Sequence, residues 1–212
     1  RGLAIQGTGV NTQLVKFLTL NQLVVGVPAL LLGGAQALGE GGHFLQSTTW
    51  VLGAIGCLPL ALLGKSLAEA RTEDVVDINW ATDQLAIKLF GAQPQPLRAL
   101  PWSLGLGVLV GVCEETAFRG LILPKVADLV MGTGVPAPIA LLAGCTVSTI
   151  LFAALHLNPA QLLKLPLSPE ALTTLRVQLT TGAWFSLLAV GPGGSLGVAI
   201  VAHALYDAST FY

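Results

Sequence analysis

Long uncharged apolar runs, separated by short polar joints, set the pattern of this chain. The first runs from Phe17 to Gly39, between Lys16 and Glu40. The second runs from Gly41 to Gly64 and is ended by Lys65. Each supplies the ~20 mostly apolar residues that a membrane-crossing helix needs. With Glu40-Gly41-Gly42 as the joint, residues 1–64 predict an antiparallel transmembrane hairpin. From Lys65 to Arg98 the character changes, and Glu69, Arg71, Glu73, Asp74, Asp77, Asp83 and Lys88 all fall here. Ile78, Ala81, Leu85 and Leu89 recur at helical spacing, with Asp77, Asp83 and Lys88 off that stripe. Residues 65–98 therefore predict an amphipathic, interfacial helix rather than a span. Gln93-Pro94-Gln95-Pro96 is its expected end, because proline resists helix continuation.

Residues 99–212 return to apolar text. A third span is expected from Pro101 to Gly120, with Gly107 and Gly111 at the spacing that permits close helix packing in lipid. Residues 121–137 predict a short helix and a turn running from Gly132 to Pro136. Pro138 to Leu157 is the fourth span, and Asn158 to Ser168 a proline-bearing connection. Ala171 to Val190 is the fifth span and Ser195 to Tyr212 the sixth, with a tight turn from Gly191 to Gly194 between them. Barrel-type alternation is absent, and a helix satisfies its own backbone in lipid. The expected fold is all-α: a polytopic transmembrane bundle of about six spans plus one or two short or interfacial helices. Residues 1–212 form a single membrane domain, without repeat or low-complexity tail.

Composition agrees. Of 212 residues, 53% are hydrophobic and only 10% charged, against about 25% charged in soluble domains. Mean hydropathy is +0.76. A net charge of −1 offers no basic footprint for nucleic acid. Cys57, Cys113 and Cys145 lie in apolar runs without a CxxC, and read as small buried hydrophobes. The chain opens on Arg1 rather than Met, which fits a signal or transit peptide removed upstream. Lys and Arg in the joints gather on the face that holds residues 65–98, Arg1, Lys16, Lys164 and Arg176. That asymmetry places the N-terminus in the cytosol or its topological equivalent.

Against this background the ionisable residues inside spans stand out, since each costs roughly 2.5–3.5 kcal/mol at a helix centre. Glu114, Glu115 and Arg119 share one segment, His156 ends the next span, and His203 and Asp207 lie in the last. Glu115 and Arg119 are i,i+4 neighbours and can pair. Glu114 points about 100° away, on the face of Phe118. It is left in a poorly solvated site, where a general base is useful. Phe152 stands one turn before His156 and can wall its imidazole. Asp207 stands one turn after His203 and can fix its tautomer. His43, beside Gly41-Gly42, reads as an ordinary loop histidine.

These residues resemble the CPBP family of membrane proteins, which holds the type II CAAX prenyl proteases and the bacteriocin-processing or self-immunity proteins. Its Glu-Glu-x-x-x-Arg motif stands as Glu114-Glu115-Thr-Ala-Phe-Arg119. Its Phe-x-x-x-His motif stands as Phe152 to His156, and its His-x-x-x-Asn/Asp motif as His203 to Asp207. All three occur in the family's order, over residues ~100–210, whereas residues 1–98 carry no motif. The resemblance implies an intramembrane endopeptidase. In it Glu114 and His156 activate water, His203 and Asp207 stabilise the oxyanion, Glu115 with Arg119 holds the helix, and Phe152 is structural. An ionised Asp207 would repel an oxyanion, so it must be neutral or serve only to orient His203. HExxH is absent; a divalent metal such as zinc is compatible with the sequence but not required by it.

The alternative is a non-proteolytic scaffold or assembly factor on the same fold, held in a larger, pigment- or cofactor-bearing membrane complex. A proton-coupled carrier is weaker, because no inverted repeat is visible. A serine protease built on Ser195 is weaker still, because Ser195 sits in a turn and His203 follows on the same helix. The partners implied are membrane lipid and a peptide or membrane-protein substrate. A plastid membrane and a bacterial inner membrane suit the text about equally.

Overall fold

The computed structural model describes residues 10–41, 43–92, 96–157, 166–191 and 193–211. Arg1, Gly42, Gln93 to Gln95, residues 158–165 with Lys164, Pro192 and Tyr212 lie outside that description. The joints expected there are therefore described only in part. Among the described residues every regular element is helical.

Helix α1, Thr12–Ala29, starts at Asn11, whose side chain accepts from the Leu14 N–H at 3.1 Å. Pro28 follows near its end, and the rod then widens into a π turn, Leu30–Gly34, that is kinked at Gly33 with φ 124°. It continues as α2, Ala35–Gly41. The first apolar run is thus one bent rod, and Glu40-Gly41 belongs to helix rather than to the joint. The turn itself falls at His43 to Gln46. The His43 carbonyl there accepts from the Gln46 N–H and the Thr49 hydroxyl, both at 2.9 Å. His43 is an exposed turn residue. Helix α3, Ser47–Glu69, runs past the expected end at Gly64, and an exposed Lys65–Glu69 pair at 3.9 Å lies on its last turn.

Helix α4, Glu73–Phe90, is the amphipathic element expected in residues 65–98, with Glu73 and Asp74 at its start and Lys88 at its end. Its inward face is turned from the predicted stripe. Val75 and Leu89 are buried, Ile78 and Leu85 partly so, and Ala81 is exposed. It stops at Gly91, earlier than the proline pair, because glycine adopts the positive φ of 88° that this cap needs.

The next stretch corrects the sequence reading more sharply. Helix α5, Pro96–Glu115, passes through a π turn, Thr116–Ile122, straight into α6, Leu123–Met131. The expected break at Gly120 is absent. Pro124 has no N–H to offer the Gly120 carbonyl, and the Leu123 N–H reaches back five residues to Phe118 instead. Helices α7, Ala137–Leu155, α8, Pro169–Val190, and α9, Leu196–Phe211, follow the predicted fourth to sixth runs.

Helix α9 is the axis of the bundle and is buried continuously from Val198 to Ala204. It packs on α5, α3 and α8, while α6 packs on α7 and α7 on α8. Gly107 and Gly111 of α5 face the backbone of α9. A Cβ on Gly111 would stand 2.9 Å from the Ile200 carbonyl oxygen. The two arms of the predicted hairpin have separate partners: α1 lies on α5 and α3 on α9. The outward faces are apolar, with Val24 on α1, Leu31 in the π turn after it, Leu58 and Leu62 on α3, and Leu142 and Ile150 on α7 all exposed. So wide an apolar surface fits lipid. Among the described residues, three helical rods are long and apolar enough to cross a membrane: Thr12–Gly41, Ser47–Glu69 and Ala137–Leu155. Helices α5, α8 and α9, also expected to span, carry Glu114, Glu115, Ser186, His203 and Asp207 of the site.

Candidate active site

The last turn of α5 puts Glu114 and Glu115 on different bearings, and the two carboxylates meet different surroundings. Glu115 Oε1 accepts from Arg119 Nη1 at 2.9 Å, the i,i+4 pair expected, with both side chains at 0% exposure. Arg119 also donates from Nη2 to the Gly182 carbonyl at 2.5 Å and from Nε to the Ser186 hydroxyl at 3.3 Å. Its guanidinium lies 4.7 Å from the Phe152 ring centre, 5.6 Å from Phe185 and 5.8 Å from Phe118. A buried cation is thus met by a carboxylate, a carbonyl, a hydroxyl and three aromatic rings.

The same Glu115 oxygen has a second partner that the sequence reading did not foresee. His203 Nδ1 stands 2.7 Å from it, so this nitrogen carries the proton and donates. Glu115 therefore fixes the His203 tautomer, the role expected of Asp207. Asp207 faces the other edge of the ring instead, with Oδ2 3.5 Å from Nε2. The imidazole is stacked on Phe185, at 4.3 Å between centres and 15° between planes.

Glu114 is held loosely. Its Oε2 lies 3.9 Å from His156 Nε2 and 4.0 Å from His203 Nε2, and it is buried without a hydrogen-bond partner. Its Oε1 accepts from Gln22 of α1 at 3.0 Å. His156 caps α7, and its Nδ1 donates to the Phe152 carbonyl at 2.8 Å. The proton at Nδ1 leaves Nε2 of a neutral ring as an acceptor facing Glu114. Phe152 walls this ring at 4.6 Å, as its spacing predicts, and meets Phe118 edge-on at 5.3 Å. The His156 side chain is 30% exposed and that of Glu114 11%. The site thus grades from an accessible rim to a sealed base.

All seven residues singled out by spacing converge here: Glu114, Glu115, Arg119, Phe152, His156, His203 and Asp207. Four further participants were not anticipated. Phe185, Ser186 and Gly182 come from α8, and Gln22 from α1. The small residues Gly182 and Ser186 at i,i+4, one turn of open space on α8, were the available signal for a buried side chain beside them. Gln22 was legible only as an amide beside Asn21 in an apolar run. Among the described residues, no three His, Cys, Asp or Glu side chains are grouped closely enough to hold a metal ion.

Neither a curated protein nor a solved structure matches the chain. The family model for the type II CAAX prenyl endopeptidase Rce1-like proteins matches residues 96–209, from the start of α5 almost to the end of α9. That stretch exceeds half of the chain and holds all three polar motifs, so the chain belongs to the Rce1-like family of type II CAAX prenyl endopeptidases.

Proposed function

We propose that this membrane protein hydrolyses a peptide bond in a membrane-bound substrate, with Glu114 and His156 activating water and His203 with Asp207 receiving the oxyanion. The observation that carries the reading is the unpartnered Glu114 Oε2, set 3.9 Å from an acceptor nitrogen of His156. That gap is too wide for a direct hydrogen bond and suits a water that bonds to both.

The water oxygen attacks the carbonyl carbon as its proton passes to Glu114, with His156 accepting the second hydrogen bond. The carbonyl oxygen becomes an oxyanion. His203, in its imidazolium form, donates to it from Nε2 while its Nδ1–H stays bonded to Glu115. Asp207 lies beside that same Nε2 and acts in its neutral form, because an ionised carboxylate there would repel the oxyanion. Collapse of the tetrahedral intermediate breaks the C–N bond, and the Glu114 proton leaves on the amine.

Family membership supports an intramembrane endopeptidase in general and points to a prenylated C-terminal peptide as the first substrate to try. We further read the protein as multi-pass, in a plastid or bacterial inner membrane. The test is cleavage of a prenylated CAAX peptide by the purified chain in detergent, read by mass spectrometry. Wild type should cleave, and Glu114→Gln and His156→Ala should each lose at least about a hundredfold in rate. Undiminished cleavage by Glu114→Gln would sink the mechanism. Folded but inactive wild type, recovered with partner proteins, would favour the scaffold role instead.

A further inference from the structure

One polar contact reaches the site from outside the family-matched stretch. Gln22, on α1, donates from Nε2 to Glu114 Oε1 at 3.0 Å. An ionised carboxylate only accepts, so the amide nitrogen is the end that faces it. The bond occupies Oε1 and leaves Oε2 as the oxygen turned toward His156 and His203. From this geometry we infer that Gln22 is a positioning residue for the hydrolysis proposed above, fixing the rotation of the Glu114 carboxylate so that Oε2 is presented to water.

Two further observations support this assignment. One turn along α1, a Cβ on Gly26 would stand 2.5 Å from Cys113 Sγ and 2.9 Å from Cys113 Cβ. α1 and α5 therefore approach closely at the residue next to Glu114, and Gln22 is delivered to it by backbone packing. In addition, Gln22 Oε1 is buried without a partner. Packing alone does not favour that arrangement, since an apolar side chain of equal length avoids the orphaned acceptor. An amide is also neutral. It orients Glu114 without pairing its charge away, as a lysine at the same place would.

The inference rests on Glu114 being the base, and the test separates the two. The full chain is assayed on the prenylated peptide as wild type, Gln22→Met, Glu114→Gln and the double variant. Gln22→Met should lower kcat by about ten- to a hundredfold, with KM within about twofold and the thermal midpoint unchanged. The double variant should be no slower than Glu114→Gln alone, because both act through one carboxylate. Gln36→Met serves as the control and should leave kcat unchanged. Its amide makes the same kind of bond, to Glu40 at 2.9 Å, but on the surface. Should the Met variant fail to fold, Gln22→Asn, which withdraws the amide by one methylene, is read by the same split of kcat from KM. Wild-type kcat in Gln22→Met alongside an inactive Glu114→Gln overturns the inference and leaves the base assignment standing. A raised KM at constant kcat, or a multiplicative loss in the double variant, also overturns it. An active Glu114→Gln removes the base and this inference together.

Discussion

Two neighbouring residues at the end of α5 lead opposite lives. Glu115 sits at the sealed base, bonded to Arg119 and His203 through a single oxygen. Glu114 sits toward the rim, with one oxygen on a neutral amide and the other buried but unbonded. Each keeps a buried, unbonded Oε2; what differs is the other oxygen, which meets a guanidinium and an imidazole at the base and only a neutral amide at the rim. Low dielectric makes the first arrangement rigid and the second reactive. One helical step separates a charge that builds the protein from the one we propose to react.

The contrast is broken most severely at Arg119. Arg119→Met takes the guanidinium from a fully buried Glu115 and leaves it only His203, which should cost about 3–5 kcal/mol. The check is thermal unfolding in detergent, where Glu114→Gln should melt with wild type while losing cleavage. An Arg119→Met protein as stable as wild type would erase the distinction between base and rim. Gly182→Ala perturbs the base more gently. The added methyl would stand 3.0 Å from Phe152 Cδ1 and 3.3 Å from Arg119 Nη2. Overpacking of this kind should cost about 1–3 kcal/mol, seen as a lower denaturation midpoint.

The smallest expected effect comes from a carboxylate outside the bundle core. Asp74 on α4 accepts hydrogen bonds from Thr173 of α8 and from Thr72, and these hold its carboxyl below the ordinary value. A depressed folded-state value means that the stabilisation is complete above the unfolded value, about 3.9. It is lost as pH falls through the lower, folded one. Melting curves of wild type and Asp74→Asn should therefore differ at pH 5 and converge toward pH 3. A gap that widened on acidification would reverse the sign of this linkage.

Much of the rim and base was visible as spacing. Glu115–Arg119, Phe152–His156 and His203–Asp207 are each one helical turn apart, and a helix turns such spacing into a shared face. What was not visible lay between helices distant in sequence. Nothing periodic announces that His203 is held by Glu115 rather than by its own neighbour Asp207. Gln22, Gly182, Phe185 and Ser186 enter the site through packing, and an amide or a phenylalanine has many roles open to it. In the fold, the apolar runs marked the helices well, because burial in lipid rewards uninterrupted apolar text. Their ends were less legible. Gly120 and Pro124 look like a break, yet the chain absorbs both in a widened turn. Lys65 looks like a boundary, yet α3 carries it on an exposed face.

That widened turn, Thr116–Ile122, makes the count of residues matter as much as their kind. A π turn holds one residue more than the α-helix around it. Deleting any one residue here would let the helix close into regular α form and keep its backbone bonded. Everything beyond would then keep its bearing about the helix axis, because the widened turn already absorbs that residue, and only residues within the turn would shift by about 100°. A deletion between Glu115 and Arg119 would swing Arg119 off its partner's face, although no side chain had been exchanged. Single-residue deletions before Arg119 should therefore cost more than deletions between Gly120 and Ile122, which leave the Glu115–Arg119 pair and both flanking helices in place.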